Sequence, residues 1–186
     1  MILGTEQIHD GLRSGLIVCD PAPRRVEGAH IDVTLGRHAW IINPHGELDL
    51  RTADPTRRFI PVTVESNGEL VLPAQAMMLA HTEEFIGTAP GSRLVPVLHT
   101  RSTFARWGLS VHQSAGWGDE GYASRWTLEI VNPHPFAVVL PVGGRVGCIV
   151  FMRQEGLAAD YAPDTRYNHT RATWSPASML PRRGNW

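Results

Sequence analysis

Lysine is missing from this sequence: all 17 of its basic residues are arginine. Any anion site in it must therefore be built from planar guanidinium forks, because no ammonium is available. Cysteine is nearly missing too. Cys19 and Cys148 lie far apart and form no CxxC pattern. Two reduced thiols in a cytoplasmic protein are the simplest reading, with a single disulfide as the alternative. No apolar stretch approaches the roughly 18 residues of a transmembrane helix, so no membrane span is expected. The opening MILGTEQIHDGL lacks a basic stretch followed by an apolar run, so no secretory leader is expected. An excess of one charge is also lacking. A formal net charge of −1 gives no footprint of a nucleic-acid or membrane-surface binder.

Several chemical signatures are absent as well. Nine histidines are present, but none falls in an HxH, HxxxH or HExxH pair. Scattered structural histidines therefore fit better than a metal cluster. The zinc deaminase pattern, HxE followed by PCxxC, does not occur. No P-loop is found, which removes one common nucleotide cradle. No internal repeat or low-complexity run is seen.

What is there reads as one domain over residues 1–186, long enough to bury a core. Thr5 to Leu16 is the best helix, with Thr5 as cap and Ile8, Leu12 and Leu16 at helical spacing. His30 to Gly36 alternates Ile31, Val33 and Leu35 against Asp32 and Thr34, the pattern of a half-buried strand. HAWIIN, FIPVTV, ELVLP and AMMLAHTEEF follow as short β-like runs. RLVPVLHT, WTLEIVN, FAVVLPV and RVGCIVFMR continue the series. Short strands after one helix point to a sandwich, jelly roll or barrel. Beyond Gly156 the pattern fades into a tail holding Tyr161, Tyr167, Trp174 and Trp186, aromatics that suggest docking.

The chemistry concentrates in RSTFARWGLSVHQSAGWGDEGY, Arg101 to Tyr122, and in the strand after it. In WTLEIVN, alternation places Thr127, Glu129 and Val131 on one face and Trp126, Leu128 and Ile130 on the other. Glu129 is either a solvated strand residue or a carboxylate in a half-apolar pocket, where desolvation would tune it as a general base. A helical turn after Arg101 would group Ser102 with Arg106. Two forks and two hydroxyls there suit a polyphosphate, and a surface turn is the plainer alternative. Asp119, among glycines, is either a turn residue or the holder of a hydroxyl or water.

RSTFARWGLSVHQSAGWGDEGYASRWTLEIVN resembles, without a gap from Arg101 to Asn132, the core motif of the dCTP deaminases of the trimeric dUTPase superfamily. That pattern reads approximately RSSLARLGL, VH-x-TAGWIDPGF, ITLEL-x-N. MILGTEQIHDGLRSG resembles the family's opening, GAHIDVTLGR its PASYDLTLG, LPVGGRVGCIVFMR the PGxRIGQLxF strand, and RYNHT its KYQGQ.

The resemblance implies a mainly β, distorted jelly-roll or β-barrel fold of the dUTPase-like type with a short N-terminal helix. It also implies a homotrimer with active sites between subunits, and a tail over 157–186 that closes on the nucleotide. Glu129 matches the general base that activates water to attack C4 of cytosine. Ser102 and Arg106 match the polar pair beside that water, and the Ala115 backbone the segment that positions base and water. Asp119 matches the sugar-binding carboxylate, and Arg101 a phosphate contact. Thr103, Gln113 and Trp117, from the same motif, join the substrate-binding set with Tyr161, Arg166 and Thr170 of the tail. Mg²⁺ would come with the triphosphate, and no zinc is implied.

The sequence departs from the family pattern at Thr100, Thr103, Glu120, Ser124 and His30. In the tail, Arg166 replaces Lys and Thr170 replaces Gln, both phosphate-touching positions in the family. The leading expectation is deamination of dCTP to dUTP and ammonia. A second is a bifunctional deaminase–diphosphatase, or a dUTPase, giving dUMP and pyrophosphate. HQSAGWGD with WTLEI is particularly similar to bifunctional members. A third, of another class, is a non-catalytic trimeric nucleotide-binding regulator.

Overall fold

The computed structural model describes residues 1–156 and 174–181. Helix α1, Thr5–Ser14, is followed by strands β1, Ile17–Asp20, β2, Val26–Glu27, β3, His30–Thr34, and β4, Ala39–Ile42. A single helical turn, α2, Pro55–Arg58, leads into β5, Phe59–Val62, β6, Glu69–Leu72, and β7, Met77–Thr88. Then come β8, Leu94–Thr100, α3, Ser102–Arg106, β9, Ala123–Val131, β10, Val138–Pro141, and β11, Arg145–Arg153. A 3-10 turn, Pro176–Met179, lies in the C-terminal described segment.

Among the described residues the strands form three open sheets rather than one closed barrel. The first is organised by the twelve-residue β7. One edge of β7 pairs with β9, while β4 and β1 share the other edge, at Met78–Leu79 and Phe85–Thr88 respectively. The second sheet orders β2-β3-β11-β8, and the third is the antiparallel pair of β10 with β6, strands far apart in the chain. The buried faces meet in one main core, with Ile8, Ile31, Leu70, Met78, Leu98, Leu128 and Phe151 all fully enclosed. Truncating such a side chain to Ala costs about 2–5 kcal/mol.

The N-terminal helix differs in detail from its pattern. Gly4, not Thr5, is the N-cap residue, and the Thr5 hydroxyl instead donates to the Gly28 carbonyl at 2.6 Å. The helix stops at Ser14 because Gly15 adopts φ 75°, a left-handed cap, and this leaves Leu16 outside it and exposed. Ile8 and Gly11 form the buried face.

The half-buried reading of β3 is also corrected. Asp32 and Thr34 are buried along with Ile31 and Val33. A bulge in β7 explains Thr34: between His81 and Phe85 the register against β9 shifts, turning Glu84 inward. Its carboxylate accepts hydrogen bonds from the Thr34 amide at 2.9 Å and the Thr34 hydroxyl at 2.8 Å. Asp32 is enclosed by arginines instead. Cys19 and Cys148 are free thiols in different sheets.

Candidate functional site

β9 alternates as its sequence predicts. Ser124, Trp126, Leu128 and Ile130 are buried, and Arg125, Thr127, Glu129 and Val131 line the other face, half-buried. The loop after α3 crosses this face and stitches two sheets together. On the β9 side, the Glu129 amide donates to the Val111 carbonyl at 2.8 Å, and Ser110 bridges to Val131. On the β8 side, the Leu98 amide donates to the Gly116 carbonyl, the Gly118 amide donates to the Pro96 carbonyl, and Trp117 bridges to Val97. Only glycine fits at 116. A Cβ there would lie 2.6 Å from the Leu98 carbonyl oxygen and 2.9 Å from the His112 ring. At Gly118 a Cβ would meet the Trp126 indole at 2.8 Å. The glycines of GWG thus let the loop lie flat against β8 and against Trp126.

A cavity of about 350 Å³ opens between that loop and β9. Ala115, Trp117 and Asp119 line it from the loop, and Thr127 and Glu129 from the strand. Trp126 and Tyr122, packed edge to face with ring centroids 4.9 Å apart, contribute its apolar side. The Trp126 indole N–H is satisfied by the Ile86 carbonyl at 2.9 Å. Glu129 is held in place from the loop: its Oε2 accepts the Gln113 backbone N–H at 3.0 Å. Gln113 therefore acts on Glu129 through its backbone, while its side-chain amide reaches the Ser110 hydroxyl at 3.4 Å.

The cavity so brings together Glu129, Ala115, Trp117 and Asp119, with Gln113 behind them. The α3 residues do not line it. Ser102, Thr103 and Arg106 are exposed on that one helical turn, which forms where the sequence predicts it. Arg101 sits at its N-cap with its Nε 3.9 Å from the Asp32 carboxylate. Tyr161, Arg166 and Thr170 lie outside the described residues.

Sequence reasoning expected a tail over 157–186 at the site but did not name the residues of it that wall the cavity. Met179 and Pro181 line it beside Leu79 of β7. The Trp40 indole donates to the Pro176 carbonyl at 3.1 Å, Met179 is buried, and Leu180 packs with Phe59 and Leu79. Trp174 lies against the His81 ring, centroids 4.7 Å apart, with the Arg125 guanidinium 5.4 Å from its own ring centroid. Arg125 is itself fixed by the Glu83 backbone carbonyl and carboxylate. His81 is buried between Gly36 and Trp174. Its Nδ1 bonds the Thr82 carbonyl at 2.8 Å, and burial pulls its pKa down to about 4. The signal available in the sequence was the aromatic content of a tail with no hydrophobic periodicity.

A family model described as dCTP deaminase-like matches residues 2–154. The chain belongs to the dCTP deaminase-like family. A protein of Methanospirillum hungatei JF-1 named "dCTP deaminase, dUMP-forming" is 32% identical over 185 residues, covering 94% of this chain and 95% of the relative. A Methanopyrus kandleri protein of the same name is 31% identical over 186 residues, covering 96% of this chain and 95% of the relative. The fold is also that of the 2'-deoxycytidine 5'-triphosphate deaminase from Agrobacterium tumefaciens, with a TM-score of 0.62 at 20% identity. That match covers 84% of this chain and 49% of the other, so the chain spans about half of that longer structure. The mainly β architecture with a short N-terminal helix read from the motifs is thus the architecture observed. No helix among the described residues is long and apolar enough to cross a membrane.

Proposed function

We propose that this family member converts dCTP to dUMP, releasing ammonia and pyrophosphate, with Glu129 as its general base. One observation carries the reading: the Glu129 carboxylate is anchored through one oxygen on the wall of a cavity shared with Asp119 and the Ala115 backbone. A carboxylate fixed by a backbone N–H can accept a proton from a water without losing its aim. Water adds to C4 of the cytosine, its first proton passes through Glu129 to N3, and the proton of the new C4 hydroxyl passes on to the departing amine as C4=O forms. The C4–N bond breaks, ammonia leaves, and the uracil base remains. A second water then attacks the α-phosphate and expels pyrophosphate, so two waters are consumed in all.

In this reading Asp119 holds the deoxyribose hydroxyl and Trp117 walls the base. Ser102 and Arg106 orient the water and the carboxylate, while Arg101 and Thr103 meet the phosphates. Because the α3 side chains are exposed and away from the Glu129 cavity of the same chain, the reading requires a homotrimer in which a neighbour's α3 completes each site. The exposed Trp107 and Phe136 near α3 support a covered surface there. The triphosphate brings Mg²⁺ with it and supplies the oxygen ligands a small hard cation prefers. Tyr161, Arg166 and Thr170 belong to the same proposal as tail contacts to the nucleotide. The cytoplasmic location fits two free thiols, Cys19 and Cys148.

The dUMP-forming names of the relatives favour the two-step outcome over release of dUTP. Incubation with dCTP and Mg²⁺, following ammonia and pyrophosphate together, tests it. Equal release of both is expected. Ammonia alone would reduce the activity to a simple deaminase yielding dUTP, and nucleotide binding with neither product would leave a non-catalytic binder.

A further inference from the structure

Glu120 stands where the family pattern has a proline, in the turn that carries Asp119. The Tyr122 amide donates to the Asp119 carbonyl at 3.0 Å, and Gly121 adopts φ 81°. These are the marks of a type II turn over residues 119–122, whose second position favours proline and whose third favours glycine. Proline at the second position fixes a backbone angle before folding begins, and glutamate does not. This turn therefore takes its order from elsewhere in the chain.

That order comes from the connection between β7 and β8. The Glu120 carboxylate accepts a hydrogen bond from the Arg93 backbone N–H at 2.7 Å. Arg93 has φ 56°, a left-handed conformation that is costly for a residue with a Cβ. Its backbone is engaged on both sides, because its carbonyl accepts the Gln154 N–H at 2.9 Å just past the end of β11. Around it, the Ser92 amide donates to the Ala89 carbonyl, and the Ser92 hydroxyl accepts the Leu94 amide. A charged side chain is thus tied to a backbone donor that its surroundings hold still.

Two neighbouring pins show what Glu120 adds. The Gly118 amide donates to the Pro96 carbonyl on one side, and the Gly121 amide donates to the Thr88 hydroxyl at 3.1 Å on the other. A Cβ at Gly121 would lie 3.4 Å from Pro90, so the turn also rests on the β7–β8 connection. Between the pins lie Asp119 and Glu120, and Asp119 is the exposed member that lines the Glu129 cavity. An exposed carboxylate on a loosely held turn samples several directions, and ordering it on binding costs affinity.

We propose that Glu120 is a positioning residue for the sugar end of the site: its bond to the Arg93 N–H aims Asp119 at the 3′-hydroxyl of a 2′-deoxynucleotide. The inference rests on the reading that gives Asp119 the deoxyribose hydroxyl, and it names what holds Asp119 in place where the proline is missing.

The test titrates dUMP, the proposed product, and its 2′,3′-dideoxy analogue calorimetrically against the full-length protein, so that neither ligand is consumed. The two differ only in the 3′-hydroxyl, and wild type is expected to prefer dUMP. Glu120→Ala is expected to weaken dUMP by about fivefold or more while leaving the dideoxy analogue within about twofold of wild type. Glu120→Gln keeps an acceptor for the Arg93 N–H and should retain most of the preference. Glu120→Pro gives up that acceptor but restores a fixed φ at the second turn position, so it should recover dUMP affinity by an independent route. A residue that mattered only for folding would not separate two ligands that differ by one hydroxyl. In dCTP turnover the Glu120→Ala loss should appear mainly in KM.

Unchanged dUMP affinity in Glu120→Ala would overturn the proposal. So would equal losses for both nucleotides, or a Glu120→Pro protein as weak as Glu120→Ala. Wild type alone tests the Asp119 reading. If it prefers dUMP and Glu120→Ala keeps that preference, Asp119 holds the hydroxyl without help from Glu120 and only the proposal fails. If wild type binds both nucleotides equally, the Asp119 reading itself fails and the proposal goes with it.

Discussion

The backbone N–H of Gln113 donates to Glu129 Oε2 at 3.0 Å across the gap between a loop and a strand. The bond joins residues 16 positions apart and ties the general-base candidate to the loop that carries Ala115, Trp117 and Asp119. Glu129→Gln keeps an acceptor for that N–H but removes the proton-accepting carboxylate. Ammonia release from dCTP is expected to fall below detection, while nucleotide affinity stays within about tenfold of wild type. Measuring single-turnover deamination and equilibrium binding side by side checks it. Turnover near wild type would remove Glu129 from the base role.

His81 supplies a pH dependence whose sign follows from burial. Its pKa falls from an ordinary 6.5 to about 4 in the folded protein, chiefly through desolvation. Above 6.5 both folded and unfolded states hold it neutral. As pH drops from 6.5 towards 4, the unfolded chain takes up a proton that the folded chain refuses, so stability is lost across that window. The full loss is about 3 kcal/mol from this one group. Urea unfolding of wild type and His81→Gln between pH 7 and pH 4 measures it: the wild type should lose about 3 kcal/mol more than the variant.

Trp174 anchors the segment that walls the Glu129 cavity. Its ring contacts run to His81 and His38, and a cation–π one to Arg125 is worth about 0.5–1 kcal/mol in an exposed setting. Trp174→Ala is therefore expected to release residues 174–181 without unfolding the sheets. Amide exchange in that segment should speed up by about tenfold or more while the global unfolding midpoint hardly moves. Protection retained across 174–181 would show that Met179 and Leu180 hold the segment by themselves.

Near α3, Trp107 is 73% exposed and Phe136 60% exposed, beside a groove of about 690 Å³ that both of them line. Buried aromatics at an interface commonly carry about 2 kcal/mol or more of its binding energy. If this face is the subunit contact of the proposed homotrimer, Trp107→Glu is expected to weaken self-association by roughly 30-fold or more, with the melting profile of the monomer unchanged. Sedimentation velocity over a concentration series reads this directly. Self-association unchanged from wild type, or none in either protein, would remove this face as the proposed subunit contact.

What was legible in the sequence was local. The alternation in WTLEIVN put Glu129 and Thr127 on one face, and the RSTFAR turn put Ser102 and Arg106 on one helix, as they are in the folded protein. The failures came from partners distant in the chain. Asp32 looked like a solvent-facing strand residue because Arg145, which covers it, is 113 positions away. Thr34 looked the same because its partner, Glu84, is turned inward by a bulge that no periodicity announces. Thr5 had the right chemistry for a cap, but its hydroxyl serves Gly28 across the helix start. The strand β1 went unread because four residues before a proline carry little pattern, and its identity comes from pairing with β7. Met179 was hidden for a related reason: a docked irregular segment has no period to detect, and only the tail aromatics, Trp174 among them, suggested docking.

The twelve-residue β7 has a consequence for how the chain is made. Its partners are β1 and β4, which are synthesised before it, and β9, which is synthesised well after it. During translation one whole edge of β7 emerges without its mate and waits for residues 123–131 to leave the ribosome. Open strand edges of that length are templates for wrong pairing, and long-range pairing is slow to form. The strand that delivers Glu129 to the cavity is thus also the one that closes the most vulnerable edge of the nascent protein.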